Sequence, residues 1–110
     1  MTNLLMVCCT MPDIAVARQI GTVLIQKQLA ACVNILPGME SVYRWKDVIE
    51  TASEVQCIIK TTTEMLSELE RVLIELHPYE VPEIIALRPD AVSSVYGQWV
   101  IESVRPHAAD

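Results

Sequence analysis

His77-Pro78-Tyr79-Glu80-Val81-Pro82-Glu83 stands between an amphipathic helical pattern and a clean apolar strand pattern. Each proline fixes its own φ and drives the residue before it, His77 or Val81, out of the α region. The preceding helix must therefore end near His77, and the chain must run extended from there as a stiff arm. An imidazole, a phenol and two carboxylates on so constrained a connector make it the first place to look for function.

Working outward from the arm, Glu64 to Leu76 reads as a helix. Thr61-Thr62-Thr63 offer caps, and Leu66, Leu69, Leu73 and Leu76 form its inward stripe. Beyond the arm, Glu83 to Arg88 reads as the last core strand. Val92, Val95 or Tyr96, Trp99 and Val100 mark a short terminal helix closed by Pro106. At the other end, Leu4 to Cys9 is a continuous apolar run that suits a central strand covered on both faces. A helix follows, with Thr10 as its cap, Pro12 in its first turn, Gly21 allowing close approach to the sheet, and an end near Gln28. Ala31 to Leu36 and Met39 to Trp45 read as one long strand bent at Pro37-Gly38. A turn over 46–50 returns the chain as Thr51 to Lys60, with Val55, Cys57 and Ile59 on one face and Glu54, Gln56 and Lys60 on the other. The order is βαββαβ with an added helix, the split-βαβ pattern of an α+β ferredoxin-like sandwich, here with a long β2–β3 hairpin.

At 110 residues the chain is a single domain, 1–110, with no second domain to carry a separate site. Its 52% hydrophobic content excludes global disorder and exceeds what one small core needs, which favours self-association. The net charge of −6 argues against a nucleic-acid partner and for cations as ligands. Cys8, Cys9, Cys32 and Cys57 do not resemble a secreted disulfide framework, so reduced thiols in a cytoplasmic protein are expected. No apolar run reaches the length of a membrane span, and none has the form of a signal peptide, so no membrane partner is expected.

Three blocks carry a family resemblance: the arm itself, Leu29-Ala30-Ala31-Cys32-Val33-Asn34-Ile35-Leu36-Pro37-Gly38, and Tyr43-Arg44-Trp45 followed by Lys60-Thr61-Thr62. In this order and spacing the chain resembles the CutA family, small proteins linked to divalent-cation and copper tolerance. The resemblance implies a ferredoxin-like fold, a homotrimer, metal tolerance as the role, and no catalysed reaction. It also aligns Cys9 and His77 with the family's Cys-Thr and His-Pro-Tyr positions. The second histidine that some copper-binding members carry just before the latter is Leu76 here, which removes one ligand.

Thiol and imidazole are the soft and borderline ligands that select copper. Cys9 or Cys32 with His77, and Glu83 orienting the imidazole or completing the shell, are therefore the candidate copper ligands. No Cys-x-x-Cys or His-x-x-x-His pair exists, so such a site must be assembled from separate strands or subunits. Cys8 and Cys9 point to opposite faces and cannot serve one ion. The plainer reading makes each thiol a small core hydrophobe.

By resemblance, Trp45, Glu54, Lys60 and Tyr79, with Cys32 and Glu83, line a cleft between subunits, where charge and aromatic surface suit a small ligand. Here the plainer reading is an interface of paired charges and anchoring rings. An alternative function is thus a trimeric small-molecule module similar to the PII signalling proteins. Catalytic signatures are weak. Ser53, Ser67, Ser93 and Ser94 lie in no nucleophile elbow, nothing marks Cys32 and His77 as an activated pair, and Gly21, Gly38 and Gly97 form no phosphate loop.

Overall fold

A computed structural model describes residues 3–105. The elements are β1 (Leu4–Met11), α1 (Ile14–Gln26), β2 (Cys32–Trp45), β3 (Val48–Thr62), a 3₁₀ turn (Thr63–Met65) running into α2 (Leu66–Leu76), β4 (Ile85–Leu87) and α3 (Ser94–Ser103). The four strands form one antiparallel sheet in the order β2-β3-β1-β4. This is the ferredoxin-like α+β sandwich expected from the sequence, with the long hairpin and the C-terminal helix in place.

Strand alternation divides the sheet into two different faces. Val7, Cys9 and Met11 of β1 sit beside Val55, Cys57 and Ile59 of β3. Together they form the core with Ala17, Ile20 and Leu24 of α1 and Leu69, Val72 and Leu73 of α2. Gly21 lies in this layer because a Cβ there would come within 3.3 Å of Val33 Cγ1. The intervening positions Met6, Cys8 and Ile58 are only half-buried, while Leu36, Ile85 and Leu87 are exposed. β1 is central, as expected, but it is covered fully on one face alone.

Several local expectations change. Thr10 does not cap α1: β1 extends through Met11, and Asp13 is the cap, its Oδ1 accepting the Val16 N–H at 2.8 Å. The helix stops at Gln26, where Gln28 takes a left-handed conformation (φ 56°) and the Leu29 N–H reaches back to the Leu24 carbonyl. No threonine side chain caps α2, which enters through the 3₁₀ turn instead. Its buried stripe is Leu69, Val72 and Leu73, with Leu76 exposed. The hairpin loop is two residues, Lys46 and Asp47, both at positive φ (50° and 67°), rather than the broader turn over 46–50. Those two dihedrals match the right-handed twist of the flanking strands, so pairing closes at Trp45 and Val48. The bend at Pro37-Gly38 is a register shift between Leu36 and Met39, with Gly38 at φ 83°. β4 is a three-residue edge strand rather than a six-residue core one, held between the proline arm and Pro89. Pro106, expected to close α3, lies outside the described residues, as does His107.

Candidate functional site

The arm is organised by His77. α2 ends at Leu76, and His77 turns extended (φ −75°, ψ 134°) with its N–H still bonded to the Leu73 carbonyl at 2.8 Å. The amide of Tyr79 donates to Nδ1 at 3.1 Å, so Nδ1 is an acceptor and the ring proton must sit on Nε2. Nε2–H then donates to the Thr10 carbonyl at 2.7 Å. A neutral imidazole thus ties the start of the arm to the end of β1, with its ring 4.8 Å from the Tyr79 ring and 7% exposed.

Past this clamp the arm faces the hairpin across a cleft of ≈ 680 Å³. The register shift sets Met39, Ser41, Tyr43 and Trp45 opposite Glu54, Ala52, Glu50 and Val48, so the aromatic pair and the two carboxylates share one face of the ribbon. Tyr79 hydroxyl donates to Glu54 Oε2 across the cleft. Burial and that hydrogen bond push the Tyr79 phenol above its ordinary range. Tyr43 is also raised, first by desolvation and then by the carboxylates of Glu50 and Glu54. Deeper in, the Thr10 hydroxyl points at Glu83 Oε1 (2.8 Å) with Gln56 Oε1 at 3.0 Å, and Gln56 Nε2 donates to Glu83 Oε2 at 3.4 Å. Glu83 is therefore fixed at the far end of the arm by β1 and β3.

The expected residues are distributed unevenly over this geometry. Trp45, Glu54, Tyr79 and Glu83 line the cleft; Lys60 and Cys32 do not. Those two are partners in the β2–β3 ladder further along the sheet, where Lys60 Nζ bonds Asn34 Oδ1. Cys9 is fully buried beside Cys57, and burial pushes its thiol up to about 12. The ladder also places Cys9 and Cys32 on opposite faces of the sheet. Among the described residues no three His, Cys, Asp or Glu side chains come together to hold a metal ion. The single chain as folded therefore does not fit copper at Cys9 and His77: the thiol is protonated in the core, and both imidazole nitrogens are engaged.

Glu80, a carboxylate of the arm, lines the cleft too, as do Tyr43, Glu50, Thr10 and Gln56, which the sequence does not single out as site residues. For Tyr43 the signal was present. It stands two residues before Trp45, on the same strand face, once the bulge resets the alternation. Thr10 was hidden by its resemblance to a helix cap.

The family model described as CutA1 divalent ion tolerance protein matches residues 5–103. The chain belongs to the CutA family. It is 41% identical over 97 residues to the divalent-cation tolerance protein CutA of Thermus thermophilus, covering 88% of this chain and 94% of that one. It is 43% identical over 91 residues to human protein CutA, covering 83% of this chain and 51% of the human protein. The crystal structure of CutA from Xylella fastidiosa superposes with a TM-score of 0.92 at 38% identity, covering 94% of this chain and all of that one. The family's description names a role, tolerance of divalent ions, rather than a reaction, in keeping with the weak catalytic signatures of the sequence.

Proposed function

We propose that this chain serves divalent-cation tolerance as a cytoplasmic homotrimer that binds copper or another divalent ion. The observation that carries the reading is family membership over 5–103, since the matching family and its Thermus relative are both described by that tolerance. Self-association is supported by the half-covered sheet face, where Leu36, Ile85 and Leu87 are 44–52% exposed, and by β2, a 14-residue edge strand. Metal chemistry points the same way. Since the described residues of one chain form no three-ligand cluster, firm binding requires ligands from a second subunit or release of His77 from its clamp.

Sedimentation at micromolar concentration tests the assembly: a trimer mass is expected, and a stable monomer refutes it. Copper titration of the wild type and His77→Ala, with added salt to screen the acidic surface, tests the ligand set. Weak binding, strengthening as pH rises and diminished in the variant, is expected. Superimposable isotherms would remove His77 from the site.

A second reading, a small-molecule module with its ligand in the cleft, is favoured by the ≈ 680 Å³ volume between hairpin and arm. Saturable binding of an organic molecule by metal-free protein would support it.

A further inference from the structure

The cleft between the hairpin and the proline arm has a chemical character of its own. Its walls carry three aromatic rings, Tyr43, Trp45 and Tyr79, and the carboxylates Glu50, Glu54, Glu80 and Glu83. No lysine, arginine or histidine lines it among the described residues. Glu54 is the telling member. It is only 9% exposed, and its one recorded hydrogen bond comes from the Tyr79 hydroxyl. The ion pairs among the described residues are those of Arg71 with Glu68 and Glu75, so Glu54 has no countercharge among the described residues. Buried carboxylates are ordinarily paired, because desolvation of an isolated charge is costly. A cation from outside the chain would meet that need.

The shape and lining decide which kind of cation. A bare divalent ion needs three or more converging donors, and the described residues offer no such cluster. It would also leave most of ≈ 680 Å³ unfilled. Aromatic rings attract ammonium groups through their quadrupole, most strongly where water is partly excluded. Trp45 already demonstrates this at the hairpin tip, where Lys46 Nζ lies 5.7 Å from its ring centroid. The raised phenols of Tyr43 and Tyr79 fit the same negative environment.

We propose that the cleft binds a small organic ammonium ion, its positive head held by the Glu54 and Glu50 carboxylates among the rings of Tyr43, Trp45 and Tyr79. This deepens the small-molecule reading of the cleft by naming a ligand class, and it does not depend on copper binding. The carboxylates supply charge and hydrogen-bond acceptors, while the rings discriminate between an organic ammonium and a strongly hydrated metal ion. From sequence, Trp45, Glu54, Tyr79 and Glu83 come together only through the family resemblance, because the carboxylates are spread over the chain from Glu50 to Glu83.

The test is calorimetric titration of the assembled, metal-free protein with putrescine at about 0.15 M salt, which screens the nonspecific field of the acidic surface. Glutarate and Mg²⁺ serve as the anionic and inorganic controls. Saturable putrescine binding is expected, with no glutarate binding and no displacement by equimolar Mg²⁺. Trp45→Leu and Glu54→Gln should each raise Kd about tenfold, the loss expected for one desolvated cation–π or charge contact. Glu50→Gln, at an exposed hairpin position, should weaken binding without touching the core and so guards against misfolding of the Glu54 variant. Absence of saturable putrescine heat in the wild type overturns the proposal. So does Trp45→Leu binding like wild type while Mg²⁺ competes on equal terms, which would make the cleft a plain charge trap. A basic side chain of a second copy filling the cleft in the assembly would overturn it as well. Saturable glutarate binding instead of putrescine would refute the ammonium assignment while leaving the small-molecule reading intact.

Discussion

Replacing His77 by alanine removes the fastening of the arm, and the structure sets the size of the effect. The 7% exposed imidazole donates to the Thr10 carbonyl at 2.7 Å, accepts the Tyr79 amide at 3.1 Å and packs 4.8 Å from the Tyr79 ring. Each stranded buried partner costs about 1–3 kcal/mol, and a lost ring contact about 0.5–1.5 kcal/mol. Tyr79 is only part-buried, and at the low ends of these ranges the total is about 2.5 kcal/mol. Urea unfolding at fixed protein concentration should show the midpoint falling with m unchanged. Two further variants divide the loss. Asparagine places an amide oxygen near Nδ1 and restores the acceptor for Tyr79, whereas glutamine places an amide N–H near Nε2 and restores the donor to Thr10. Each should recover about 1 kcal/mol, and hydrogen exchange at the Tyr79 amide should slow with asparagine alone. A loss below about 1 kcal/mol for His77→Ala, with asparagine and glutamine no better than alanine, would refute the clamp.

Other consequences can be measured on the same protein. Pro82→Gly should loosen the arm and lower stability by about 1 kcal/mol, since the proline restricts the unfolded chain; an unchanged urea midpoint would contradict it. Asp47 sits at φ 67°, so Asp47→Gly should raise the melting temperature by relieving about 1 kcal/mol of left-handed strain, whereas Gly38→Ala, at φ 83° with open space around it, should lower it by a similar amount. Burial pushes Cys9 up to about 12 and Cys57 up to about 11. The unfolded chain gives up these protons first, so stability should fall as pH rises above about 9 and through that window, and both thiols should resist a thiol reagent until unfolding. A flat alkaline stability profile would mean the pair is solvated.

Local signals in the chain are legible where a single element decides them. The two prolines ended α2 at Leu76, alternation put Val55, Cys57 and Ile59 on the core face, and Pro37-Gly38 marked the register shift. The sequence is ambiguous where two equally good local partners compete. Thr10 has the chemistry of a helix cap, but Asp13 takes that role, and β1 carries Thr10 on to meet Glu83, 73 residues later. The partners of His77 were equally out of reach. One ring nitrogen is claimed by a neighbour two residues on, which local geometry could suggest, and the other by a carbonyl 67 residues earlier, which nothing local could.

The same distinction bears on how the chain handles cations. Its thiols and imidazole, the groups whose softness suggests copper, are spent on structure: Cys9 and Cys57 fill the core, and His77 fastens the arm. The groups left facing open volume are carboxylates and aromatic rings. Cys32 and Cys8, half-buried on the sheet face opposite the α1–α2 layer, are the thiols that a second subunit could meet. Copper binding, if carried by thiols, therefore belongs to the assembly and should disappear when the proposed trimer is dissociated. Binding in the cleft, built within one chain by a hairpin and a proline arm, should survive dissociation for as long as His77 holds the arm in place.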